Sequence, residues 1–72
     1  MISLAVFTSS VLALRKTMII RALRDADAFG PDSARALSDT DLENPDDFPE
    51  YTRRLVDLDV ICRTPDGRYF LP

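Results

Sequence analysis

Residues 60–71 read VICRTPDGRYFL, and the turn inside them decides the fold class. Two β-prone runs, Val60–Arg63 and Arg68–Leu71, flank Thr64-Pro65-Asp66-Gly67. Proline suits the first central position of a turn and glycine accepts positive φ, so the stretch predicts a β-hairpin. Alternation along the second strand places Tyr69 and Leu71 on one face and Arg68 and Phe70 on the other. A lone hairpin is not stable in water, so this one must pack against helices.

The helices lie upstream. DFPEYTRRLVDLDVI (47–61) predicts a helix of about ten residues over 47–58, capped by Asp46 or Asp47, with Pro49 in its first turn. Tyr51, Leu55 and Leu58 fall on one face at helical spacing. Asp59 stands where that helix must stop, and aspartate tolerates the left-handed conformation better than most residues. Before it, DADAFGPDSARAL (25–37) predicts a helix end closed by Gly30 at positive φ. A short helix opening at Pro31, capped by Asp32 or Ser33, should follow and bury Ala34, Leu37 and Leu42. SDTDLENPDDF (38–48) is a polar, proline-containing connection.

The chain begins differently. Ile2–Leu14 contains no charge, and no Gly or Pro occurs from Ile2 to Leu23, which predicts one long helix. Thirteen uncharged residues extend about 20 Å as a helix, short of a bilayer core of about 30 Å. About six more apolar residues ahead of Met1 would make the run long enough to span. A signal peptide is disfavoured, because the cations follow the apolar run rather than precede it. Two readings stay open: a membrane anchor, or a core or self-association helix with a seam at Leu4, Phe7, Val11, Leu14 and Met18.

Charge is segregated along the chain. Residues 1–24 carry Arg15, Lys16, Arg21 and Arg24 and no acid, a net +4. Residues 25–59 carry eleven acids against Arg35, Arg53 and Arg54, a net −8. The four N-terminal cations are therefore expected to form a collar against lipid head groups on the cytoplasmic face of a membrane.

The chain contains no histidine, so an ordinary catalytic triad and a neutral-pH proton shuttle are excluded. Its single cysteine, Cys62, forms no intrachain disulfide, builds no zinc site, and reads as a half-buried strand residue. No catalytic residue, metal ligand or cofactor is expected. The chain reads as a non-enzymatic protein in which residues 1–24 form the apolar helix with its collar and 25–72 form a folded module.

RRLVDLDVICRTPDGRYFL (53–71) resembles the end of a winged helix-turn-helix module. In that family Leu-x-x-x-Gly-hydrophobic-hydrophobic-x-Arg leads into a wing ending Asp-Gly-Arg-Tyr-x-Leu. Leu55, Val60, Ile61, Arg63, Asp66, Gly67, Arg68, Tyr69 and Leu71 match, and Asp59 replaces the usual glycine. The resemblance covers residues 18–71 and extends to mini-modules in small bacterial membrane proteins. It implies a mainly α fold with a C-terminal hairpin (α+β): a long first helix, then a winged-helix-like module. It also implies possible nucleic-acid or partner contacts through Arg53, Arg54, Arg63 and Arg68. DNA binding is disfavoured by Asp46, Asp47 and Glu50, three anions at the end of the helix that would approach phosphates. The expected function is thus a membrane-associated interaction module that contacts a protein partner or a second copy. The alternative is a soluble DNA-binding regulator that dimerises through its first helix.

Overall fold

A computed structural model describes the backbone from Ile2 to Pro72 and the side chains from Ser10 onward. Helix α1 runs over Ile2–Asp25, α2 over Pro49–Asp57, strand β1 over Cys62–Arg63 and β2 over Tyr69–Phe70. Two single 3-10 turns, Pro31–Ser33 and Leu37–Asp39, lie between the helices. The fold is α+β, with a two-stranded antiparallel sheet in which Cys62 pairs with Phe70 and Arg63 with Tyr69. Leu4 and Phe7 of the proposed seam have side chains outside the described set.

Both helices end in the same way. Asp27 takes φ 57 after α1, and Asp59 takes φ 61 after α2. Behind each, two N–H groups fold back onto the last turn. Asp27 and Ala28 donate to the carbonyls of Arg24 and Leu23, and Asp59 and Val60 donate to those of Val56 and Leu55. This is a Schellman arrangement with aspartate where glycine is usual. Leu23, Ala28 and Leu55 belong to the hydrophobic core and Val60 packs against it. Gly30, expected to close α1, is instead extended at φ −163. Asp27 has already closed α1, and Gly30 instead opens the next 3-10 turn, its carbonyl accepting from the Ser33 N–H at 3.1 Å.

The expected short helix is absent. Arg35 lies extended between the two 3-10 turns and bridges Tyr69, with N–H to carbonyl distances of 2.9 and 2.8 Å in the two directions. Those groups cannot also serve a helical ladder, so the segment divides at Arg35. Its expected apolar residues are still inside: Ala34, Leu37 and Leu42 are all buried. The bridge makes β2 the middle of a three-segment antiparallel arrangement, Arg35–β2–β1. Leu71 N–H donates to the Ala28 carbonyl and ties the end of the hairpin to the end of α1.

The core joins the C-terminal half of α1 to the rest. Ile19, Leu23, Leu55 and Ile61 are fully enclosed, with Ala22, Ala28, Leu37 and Leu42 around them. Tyr51, Val56, Tyr69, Phe70 and Leu71 close the outside of this cluster. Leu58, expected beside Tyr51 and Leu55, is 66% exposed. The buried residues of α2 are Thr52 and Leu55, and Leu58 is the C-cap, one residue beyond the last helical turn that carries this face.

Candidate interaction site

Arg15 was expected among lipid-facing cations. It is instead buried, at 5% exposure. Its guanidinium donates to the carbonyl oxygens of Glu43 and Asn44 at 3.0 Å each and of Asp47 at 3.2 Å. It also lies over the Phe48 ring, 5.8 Å from the centroid. A planar fork with five donors suits several carbonyls at once, where an ammonium would not. The loop it holds contains two left-handed residues, Asn44 at φ 50 and Phe48 at φ 55. Lys16, Arg21 and Arg24 are exposed, and Arg24 lies 3.7 Å from the Asp25 carboxylate.

Phe48, rather than Asp46 or Asp47, is the N-cap of α2, and no side chain caps that end. Pro49 occupies the first helical position, which leaves Phe48 in the capping place. Its carbonyl accepts from the Thr52 N–H at 3.0 Å and from the Thr52 hydroxyl at 3.2 Å. The backbone carbonyl of Asp47 is already engaged by Arg15.

The start of α2 forms one wall of a groove of about 750 Å³ between α2, the second 3-10 turn and the hairpin. Pro45, Asp46, Pro49, Thr52, Arg53, Val56 and Asp57 line one side, and Ser38, Arg63, Gly67 and Tyr69 face them. Of the four arginines singled out in the sequence, Arg53 and Arg63 meet here. Arg54 is exposed but does not line the groove. Arg68 is held elsewhere, its Nε donating to the Asp66 carboxylate at 3.0 Å and its Nη1 to the Ala34 carbonyl at 3.4 Å.

Gly67, at φ 85, closes the turn at the groove's rim, and a Cβ built there would lie 3.4 Å from the Arg63 guanidinium. Thr64 organises the same turn. Its buried hydroxyl accepts from the Arg68 N–H at 2.9 Å and donates to the Asp66 carboxylate. That bond, and then Arg68, hold the Asp66 carboxyl below its ordinary range. The groove thus carries two cations and two anions on a mixed polar and apolar surface, and sequence reasoning missed Asp57 as one of them. The only cue in the sequence was its spacing, four residues after Arg53 on one helix face.

Comparison of the chain with protein-family models, with curated proteins and with solved structures finds no match. Among the described residues, no helix is long and apolar enough to cross a membrane.

Proposed function

We propose that this chain is a non-enzymatic, membrane-associated interaction protein. The N-terminal half of α1 enters one leaflet, and a winged-helix-like body presents the groove to a protein partner. One observation carries the membrane part: along α1 the first buried side chain among those described is Arg15, immediately after the thirteen-residue uncharged run. The described contacts of the body with α1 run from Arg15 to Leu23, and the uncharged run ahead of them measures about 20 Å as a helix. The molecule measures 45 × 22 × 18 Å. Half of a bilayer core is about 15 Å, which this helix can traverse without spanning. Lys16 then sits at head-group level, with Arg21 and Arg24 about 8 and 12 Å further along the axis.

Support for the winged-helix-like body comes from the element order and from Arg35. A first helix, a strand-like residue, a turn, a second helix and a hairpin follow in sequence, and the strand-like residue pairs with the last strand. DNA binding is the second reading, favoured by the convergence of Arg53 and Arg63 on one groove. Asp46 and Asp57 in the same groove offset that charge, and phosphate affinity depends on net neutralisation.

Flotation with lipid vesicles tests the proposal. The full chain should float with vesicles, and Leu14→Asp, at a position 61% exposed and outside the core, should weaken flotation severalfold. Recovery wholly in the unbound fraction would overturn membrane association. Salt-sensitive retention of duplex DNA, lost in Arg53→Ala and Arg63→Ala, would establish the second reading instead.

A further inference from the structure

Tyr69 stands at the centre of a row of side chains that crosses the sheet. Its N–H donates to the Arg35 carbonyl at 2.8 Å, and its carbonyl accepts from the Arg35 N–H at 2.9 Å. Both groups are thereby used on the Arg35 side, so Tyr69 and Arg63 of β1 face each other as a pair without hydrogen bonds. Residues directly opposite one another in an antiparallel pair share a face. Arg35, Tyr69 and Arg63 therefore project from one face, a half-buried ring between two exposed cations. Neighbouring Cα atoms in such a row are about 5.5 and 4.5 Å apart, which roots the two arginines about 10 Å apart. The Arg63 guanidinium lies against the turn, where a Cβ at Gly67 would come within 3.4 Å of it. Arg53 joins from the α2 wall of the groove that Arg63 and Tyr69 line. Among the described residues, none of these three arginines is in an ion pair.

We infer that this row and the groove beside it bind an extended acidic peptide segment with carboxylates three residues apart. This names the chemistry of the groove's protein partner and rests on that reading of the groove. A polyproline II segment has three residues per turn and rises about 3.1 Å per residue, so side chains at i and i+3 lie on one edge about 9 Å apart. That spacing matches the two arginines, and each guanidinium can hold a carboxylate through two parallel hydrogen bonds. The two residues between pass over the Tyr69 ring, an aromatic surface of the kind that polyproline II segments dock on. Asp46 and Asp57, on the α2 wall, favour a peptide over a nucleic acid. A nucleic-acid strand brings a charge with every nucleotide and cannot keep its phosphates clear of them. A peptide sets neutral residues there and keeps its carboxylates on the arginines. Exposed ion pairs are individually weak and screened by salt, so the affinity is modest and falls with ionic strength.

The test is calorimetric titration of the full chain, at about 20 mM salt, with capped peptides. The first is Gly-Ser-Glu-Pro-Pro-Glu-Ser-Gly. The second has glutamine for both glutamates, and the third, Gly-Ser-Glu-Glu-Pro-Pro-Ser-Gly, has the same charge with the glutamates adjacent. The first should bind about tenfold tighter than the second and about threefold tighter than the third, and its advantage should shrink at about 500 mM salt. It should also shift the Nε–H resonances of Arg35 and Arg63. Arg35→Gln and Arg63→Gln should each weaken its binding about fivefold, whereas Arg54→Gln, outside the groove, should leave it unchanged. Both residues pair the sheet through backbone groups, so circular dichroism of these variants should match the wild type. Asp46→Asn/Asp57→Asn should tighten binding. Equal affinity for the three peptides would overturn the inference while leaving the groove to a protein partner of other chemistry. Absence of binding to any of them would overturn it too. Tighter binding of an oligothymidylate than of the first peptide would overturn both this inference and the protein-partner reading.

Discussion

The guanidinium of Arg15 lies over the ring of Phe48, 5.8 Å from its centroid, while it donates to the carbonyls of Glu43 and Asn44 at 3.0 Å. One side chain thus ties α1 to the loop that begins α2. Its Nε is buried without a partner, and its other nitrogens donate to carbonyl oxygens rather than to a carboxylate. Arg15→Met should cost about 2–3 kcal/mol of unfolding free energy, because it removes a buried charged donor from several part-buried carbonyls. Arg15→Lys should fall between, since an ammonium cannot span the same carbonyls. Urea denaturation of the full chain measures both.

Asp27 and Asp59 hold left-handed backbone at the C-terminal ends of α1 and α2. An L-residue is strained there and glycine is not. Asp27→Gly and Asp59→Gly should each stabilise the fold by about 0.5–1 kcal/mol. Asp59→Ala should destabilise it by a similar amount. Thermal melts that show glycine destabilising at either position would contradict the helix-end geometry.

Ile61 and Leu58 lie three residues apart and should respond in opposite ways. Ile61 is fully enclosed, and Ile61→Ala should cost about 2–5 kcal/mol, much of what a domain of this size possesses. Leu58→Ala, at a position 66% exposed, should change stability by less than about 0.5 kcal/mol. Comparable losses at the two positions would mean that α2 buries a different face.

Asp66 makes the hairpin turn sensitive to acid. Its carboxyl is held below the ordinary aspartate range by the Thr64 hydroxyl and then by Arg68. A lowered folded-state pKa means that the unfolded chain takes up the proton first as pH falls. The contribution of Asp66 is therefore complete above the ordinary aspartate range and is lost as pH drops through the lowered value. Carboxyl titration by NMR should show Asp66 moving back toward its ordinary value in Thr64→Val, with a smaller return in Arg68→Gln.

Local signals in the sequence carried the hairpin, since Pro65 and Gly67 impose turn geometry whatever surrounds them. They carried α1, α2 and the stop at Asp59 for the same short-range reason, and they marked Ala34, Leu37 and Leu42 as core. They also nominated Arg53 and Arg63, although only folding shows that the two share a groove while Arg54 and Arg68 do not line it. The closing of α1 at Asp27 was harder to read, because a Gly-Pro pair three residues later supplied the stronger punctuation.

What periodicity and propensity determined, then, is the set of elements and most of their inner faces. What only the tertiary structure decided is where the polar groups of those elements find their partners. Arg15 reads as a surface cation until a loop 28 to 32 residues away supplies carbonyls for it. Arg35 reads as part of a helix until Tyr69, on a strand formed much later in the chain, takes its N–H and carbonyl. Both outcomes follow from the cost of burying unsatisfied polar groups, which is settled by neighbours in space and leaves no periodic trace in the sequence.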